Sequence, residues 1–160
     1  MILSAQSIRK AGIFTPFNNR TIHECGMSYG LSSAGYDVRI KERVWLGKNG
    51  GLFPGTFSLA SALEPFTMPN NLLGKVADKS TWARRGLAVQ NTIIEPGWRG
   101  YLTLELTYHG TEPFIEIPAG APIAQIILCR LDEPTEQPYG AGKYQDQPSR
   151  PVAAIMEPCK

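Results

Sequence analysis

The sequence predicts an all-β fold, a jelly roll or barrel of short strands with one or two short helices. Three observations point there. Gly and Pro are abundant, 16 and 13 in 160 residues, so turns recur at short intervals. Between them lie short apolar runs, several with the two-residue alternation of half-buried strands. Helix start and stop signals bracket only short segments. A plain β-sandwich is the second architecture that fits.

Taken in order, Ser4 can cap a helix over residues 4–11 that Gly12 ends. Residues 18–34 are polar and Gly-rich and read as loop. GYDVRIKERVWL, residues 35–46, alternates around Val38, Ile40, Val44 and Leu46, with Trp45 on the other face. KNGG (48–51) is a turn signal. Phe57 and Leu59 alternate with Ser58 and Ala60, as in a strand, and Pro65 and Pro69 punctuate the next ten residues or so. Leu72 to Val76 leads into a run from Lys79 to Glu105. Within that run, Pro96-Gly97 after Glu95 suits a type II turn. Tyr101 to Thr107 is then a strand with Leu102, Leu104 and Leu106 on one side and Thr103, Glu105 and Thr107 on the other. Phe114 to Ile117 and Ile123 to Cys129 are two more strands.

One domain of ordinary size is expected over residues 1–160, with the Pro-rich, polar residues 132–160 as a tail or lid. At 42% hydrophobic residues the chain can bury a core. No apolar run approaches the ~18 residues of a membrane span, and MILSAQSIRKAG has no signal-peptide core. A soluble, cytoplasmic protein with no membrane partner is expected. A net charge of +2 is too small for a nucleic-acid footprint. Cys25, Cys129 and Cys159 are odd in number and widely spaced, so no disulfide framework is implied. His23-Glu24-Cys25 lacks the second half of a zinc-deaminase signature, and the sequence gives no zinc site.

Two parts of the run from Lys79 to Glu105 could do chemistry. Ser80 is a good N-cap and Gly86 a good helix stop, so residues 81–85 fit one helical turn. With Lys79 and Arg84 beside its free N–H groups, the turn suits a phosphate; it is equally a solvated basic turn. Glu105 is a carboxylate in the middle of an apolar strand. On a water-poor wall it would be a general base with a raised pKa; on an outer face it would be an ordinary polar residue. Gln125 interrupts an apolar strand and could bond a base, a ribose or backbone. Tyr139, Lys143, Tyr144, Gln145 and Gln147 pair aromatic faces with polar tips, as a nucleotide lid would.

The run KSTWARRGLAVQNTIIEPGWRGYLTLEL resembles the core motif of dCTP deaminases in the dUTPase-like superfamily, G-[KR]-S-[ST]-x-A-R-x-G followed by P-G-W-x-G-x-[IL]-T-L-E. MSYGLSSAGYDVRI (27–40), PAGAPIAQII (118–127) and KYQDQ (143–147) are similar to three further segments of that family. The resemblance runs through nearly the whole chain in the family's order. It implies a distorted jelly-roll, dUTPase-like fold and hydrolysis of dCTP to dUTP and ammonia, a C–N bond cleavage at a cyclic amidine that feeds dUMP and dTTP synthesis. It implies Glu105 as the acid/base that activates water against cytosine C4, and Lys79, Ser80, Thr81 and Arg84 at the phosphates, with Ser80 and Arg84 also positioning the water. It implies Thr103 and Leu104 around the nucleoside, Glu95 beside the sugar, and Gln125, Tyr139, Lys143 and Gln147 as further ligand contacts. Mg²⁺ would accompany the triphosphate, no metal would activate the water, and the enzyme would be a homotrimer with shared sites. dTTP inhibits some relatives.

The chain departs from the family pattern at Asp78 and Asp146, each in place of Gly, and in the turn Val89 to Ile93. It is shorter at Leu46 to Pro54 and at Tyr139 to Lys143. A dUTP diphosphatase, or an enzyme performing both steps, is the alternative on the same fold. Classical dUTPases have Asp where Glu95 stands and a Gly-rich C-terminal arm, and they do not need Glu105. A nucleotide-sensing trimer without catalysis is the alternative of another class.

Overall fold

In a computed structural model, residues 1–19, 21–24, 26–47 and 55–158 are described. Two short helices are present among the described residues, α1 (Ala5–Ala11) and α2 (Ser80–Ala83). The strands among the described residues are β1 (Ile22–Glu24), β2 (Met27–Leu31), β3 (Tyr36–Arg39), β4 (Val44–Gly47), β5 (Phe57–Thr67), β6 (Leu72–Asp78), β7 (Leu87–Val89), β8 (Ile93–Ile94), β9 (Arg99–Tyr108), β10 (Phe114–Ile117) and β11 (Pro122–Arg130). They form a six-stranded sheet in the order β1-β2-β3-β11-β6-β8, a three-stranded sheet β5-β9-β7 and the pair β10-β4. The pairings between named strands are antiparallel.

Between the sheets lies a core of alternate strand residues. Val38, Ile40, Val76, Ile123 and Ile126 enter it from one side, Leu104 and Leu106 from the other. Phe14 stacks on Tyr36 with centroids 4.1 Å apart and meets Phe66 edge-on at 5.0 Å. Buried indole N–H groups are satisfied by backbone, as burial demands: Trp82 Nε1 donates to Pro122 O at 2.6 Å and Trp98 Nε1 to Tyr144 O at 2.7 Å.

Several expectations are corrected. Residues 18–34 are not simply loop, because Ile22 and Tyr29 pair across β1 and β2 and carry that edge of the large sheet. The run 35–46 divides into β3 and β4, and Ile40 between them bridges to Ala62. Pro65 sits inside β5, at a register shift between Ser61 and Pro65, which spares the ladder the missing N–H. The expected strand at Phe57 to Ala60 is the start of β5, with Ala60 buried and Phe57 52% exposed. Ser4 occupies the N-cap of α1, but its hydroxyl bonds Ser7 Oγ and not the helix N-terminus. Lys79, not Ser80, is the N-cap of α2, so the turn starts one residue earlier than capping propensity suggests. The KNGG turn and most of the short Leu46 to Pro54 segment fall outside the described residues.

Candidate active site

β9 is the element that builds the site. Its alternation holds Leu102, Leu104 and Leu106 in the core and turns Thr103 and Glu105 outward. Leu59 of β5 pairs with Glu105 in register, so the outward face of β5 joins that of β9. The type II turn forms as expected, with Gly97 at φ 82° and Trp98 N donating to Glu95 O at 3.1 Å. It delivers Glu95 and Trp98 to the same face. The C-terminal residues then cross it. The result is a cavity of about 500 Å³ lined by Phe57, Leu59, Ile93, Ile94, Trp98 and Leu102, by Thr92, Glu95, Thr103 and Glu105, and by Tyr139, Tyr144, Gln147, Val152 and Ala154 from the tail. That volume is within the range of small-molecule sites.

Among the described residues, Glu105 Oε2 is a buried side-chain oxygen with no hydrogen-bond partner. Burial pushes the Glu105 carboxyl above the usual range, because the charged form loses water and gains no counter-ion. A half-buried acid with a free oxygen, facing an apolar cavity, can take a proton from water and give it back.

The phosphate-cradle residues stand elsewhere. Ser80, Thr81 and Arg84 are exposed on or beside α2, and none of them lines the cavity. Thr81 instead borders a smaller hollow with Trp82 and Arg85. Lys79 is engaged internally: Nζ donates to Asp37 Oδ2 at 2.8 Å, and its side chain is 10% exposed. Gln125 belongs to the same network, with Nε2 donating to Asp37 Oδ1 and to Ser32 Oγ, both at 3.1 Å. Asp78, at the Gly position of the family pattern, plays a structural part. Its Oδ1 accepts Val89 N at 2.7 Å and so ties the end of β6 to β7 across α2.

Of the residues expected at the ligand, Glu95, Thr103, Glu105, Tyr139 and Gln147 are brought together in one cavity. Leu104 is fully buried, faces the core and is not among the lining residues. Lys143 lies outside the lining, 3.7 Å from Glu157 and over the Tyr144 ring. Phe57, Leu59, Thr92, Trp98, Val152 and Ala154 are wall residues that motif reasoning did not mark. The register of β5 against β9 is the signal for the first two; Val152 and Ala154 had none. Among the described residues no group of three or more His, Cys, Asp or Glu is gathered. The lining supplies two carboxylates, Glu95 and Glu105. Such a sparse set suits a cation that arrives on a ligand's phosphates.

Known proteins give the context. A family profile described as dCTP deaminase-like matches residues 41–131. The dCTP deaminase of Gemmatimonas aurantiaca is 35% identical over 87% of this chain and 89% of its own. That of Campylobacter hominis is 34% identical over 95% and 92%. Among solved structures, the EIAV dUTPase superposes with a TM-score of 0.53 at 23% identity, covering 70% of this chain and 88% of its own. A dUTPase from phage phi11 of S. aureus, described with a structural Mg(II) ion, gives 0.53 at 16% identity over 64% and 80%. These superpositions establish the dUTPase-like β fold. On the family profile and on relatives at 34–35% identity spanning most of both chains, the protein belongs to the dCTP deaminase family.

Proposed function

We propose that the protein hydrolyses dCTP to dUTP and ammonia, with Glu105 as the acid/base. The observation that carries this is the unpaired, buried Glu105 oxygen in a nucleoside-sized cavity of a chain from this family. Glu105 takes a proton from water as the oxygen attacks cytosine C4, and passes that proton to N3. A tetrahedral centre results, with hydroxyl and amino groups on C4. Glu105 then moves the hydroxyl proton to the amino nitrogen; the C4–N bond breaks, ammonia leaves and the C4 carbonyl forms. Glu95 is at hand for the sugar, and Thr103 and Gln147 for the nucleoside. Mg²⁺ bound to the triphosphate oxygens would neutralise charge there.

Among the described residues no Lys or Arg lines the cavity, yet a triphosphate needs cations. The exposed Arg84 of a neighbouring subunit supplies one in this reading, with the hydroxyls of Ser80 and Thr81 beside it, which makes the active form a homotrimer with shared sites. dTTP, sharing the sugar and triphosphate, competes for the same site. A silent sensing site fits poorly, since an uncompensated buried carboxyl costs stability and adds nothing to the binding of an anion. The test is product analysis with dCTP and with dUTP, following ammonia and pyrophosphate separately. Ammonia from dCTP without pyrophosphate is expected; pyrophosphate from both substrates would make the enzyme bifunctional. Pyrophosphate from dUTP with no ammonia from dCTP would overturn the proposal.

A further inference from the structure

Along β5 and β9 the wall of the cavity changes character in one direction. The two strands pair Ser61 with Thr103, Leu59 with Glu105 and Phe57 with Thr107, and directly paired residues share a face. The Thr103 end is polar. There Thr103 Oγ1 donates to Gln147 Oε1 at 2.8 Å, and both side chains belong to the lining. Glu105 stands in the middle with its free oxygen. Beyond it the wall is apolar, with Leu59 beside Glu105 and Phe57 one step further; Ile93 lines the same cavity. Phe57 is 52% and Ile93 47% exposed, apolar area that a ligand group would remove from water.

Cytosine carries the same order along its edge: O2 and N3 are polar, C4 is the reacting carbon, and C5 is apolar. With C4 at Glu105, polar complementarity sends O2 toward Thr103 and Gln147 and C5 toward Leu59 and Phe57. The spacing agrees, since two residues of a strand advance roughly 6.5 Å, about the breadth of a substituted pyrimidine. There is room as well. The cavity measures about 500 Å³, whereas a deoxycytidine at the packing density of organic crystals fills roughly 250 Å³.

We propose that the site also takes deoxycytidine triphosphates alkylated at C5, deaminating 5-methyl-dCTP, and that Phe57 is the residue that reads C5. The inference rests on reading the cavity as the nucleoside site with Glu105 at C4. The reaction is the same hydrolysis. Water adds its oxygen to C4, Glu105 moves the proton to the leaving nitrogen, and the C4–N bond breaks. 5-Methyl-dCTP and water give dTTP and ammonia. The methyl group takes the place of water against the Phe57 ring.

Steady-state kinetics on dCTP and on 5-methyl-dCTP, followed by ammonia release, test this. The unsubstituted protein should deaminate both, with KM for 5-methyl-dCTP about fourfold below that for dCTP, the worth of one buried methyl group. Phe57→Ala should bring the two KM values together, chiefly by raising that for 5-methyl-dCTP. Phe57→Leu, which keeps apolar surface at C5, should preserve most of the difference. Phe57 is half exposed, so neither change opens a hole in the core. Deamination of dCTP with none of 5-methyl-dCTP would overturn the proposal and leave the functional reading standing. Equal KM values in the unsubstituted protein, or a ratio that Phe57→Ala does not move, would place C5 away from Phe57 and overturn it too. Ammonia from neither substrate would remove the functional reading and this inference with it.

Discussion

At the scale of single residues, Glu105 and Lys79 make opposite use of burial. Glu105 is half-buried with a free oxygen and a raised pKa. The folded state therefore holds its proton more tightly than the unfolded chain does. Stability is lost as pH rises from the ordinary glutamate range through the raised value. Glu105→Gln should abolish this loss: its melting temperature should exceed that of the parent at pH 8, with the difference shrinking as pH falls below about 4. The same change should lower kcat for deamination by at least ~10²-fold while dCTP still binds, because it removes proton transfer and leaves the phosphate contacts. The acid limb of the kcat/KM profile should lie above the ordinary glutamate pKa, since only the carboxylate accepts the proton from water. Lys79 is instead compensated, by Asp37 at 2.8 Å. Breaking a buried pair costs about 3–5 kcal/mol, so Lys79→Met and Asp37→Asn should each lower the melting temperature. The double substitution should cost less than their sum. If Lys79 were free for phosphate, Asp37→Asn would leave stability unchanged.

At the scale of elements, sequence and structure part company where pairing depends on distant partners. β9 was readable because its alternation is local: three leucines against Thr103 and Glu105. The Pro96-Gly97 turn was readable because backbone φ requires it. β1 and β2 were not, since their residues are polar enough for a loop and become strands only against β3. Nor was the inward face of β5, because Ala60, Ala62, Glu64 and Phe66 form it, a mixed set that hydropathy does not mark. Motif reasoning marked five residues that line the cavity, and it marked Gln125 and Lys79, which the structure joins to Asp37. The C-terminal segment shows the same dependence on distance. It docks beside β9 through Gly100, which bridges Gln147 in parallel, and a Cβ at Gly100 would lie 2.5 Å from Gln147 N at φ 135°. Gly100→Ala should therefore displace Gln147 from Thr103 and destabilise by more than ~1 kcal/mol. Limited proteolysis should then cut within residues 143–150 sooner than in the parent, and KM for dCTP should rise. Equal cleavage rates would mean that the tail is not held through β9.

At the scale of the whole molecule, one chain carries the parts of a nucleotide site on separate surfaces. Among the described residues the cavity with Glu105 offers apolar walls, carboxylates and amide groups but no cation, and the turn with Ser80 and Arg84 is exposed and outside its lining. A triphosphate bound to the cavity alone would leave its charge unpaired; bound to the turn alone, it would leave the base far from Glu105. A closed ring of identical subunits resolves this if each cavity faces its neighbour's turn, since a heterologous interface repeats the same juxtaposition around the ring. Complementation tests it. Glu105→Gln and Arg84→Ala chains should each be nearly inactive as pure assemblies. Unfolded together in equal amounts and refolded, they should form mixed rings. A site is intact when its Glu105 comes from one variant and its Arg84 from the other, so about a quarter of sites should recover. Activity near that fraction on dCTP, at unchanged KM, is the expected result. If mixing restores nothing while the mixed rings form, both groups belong to the same chain, and the cradle must reach the cavity by a movement within the subunit.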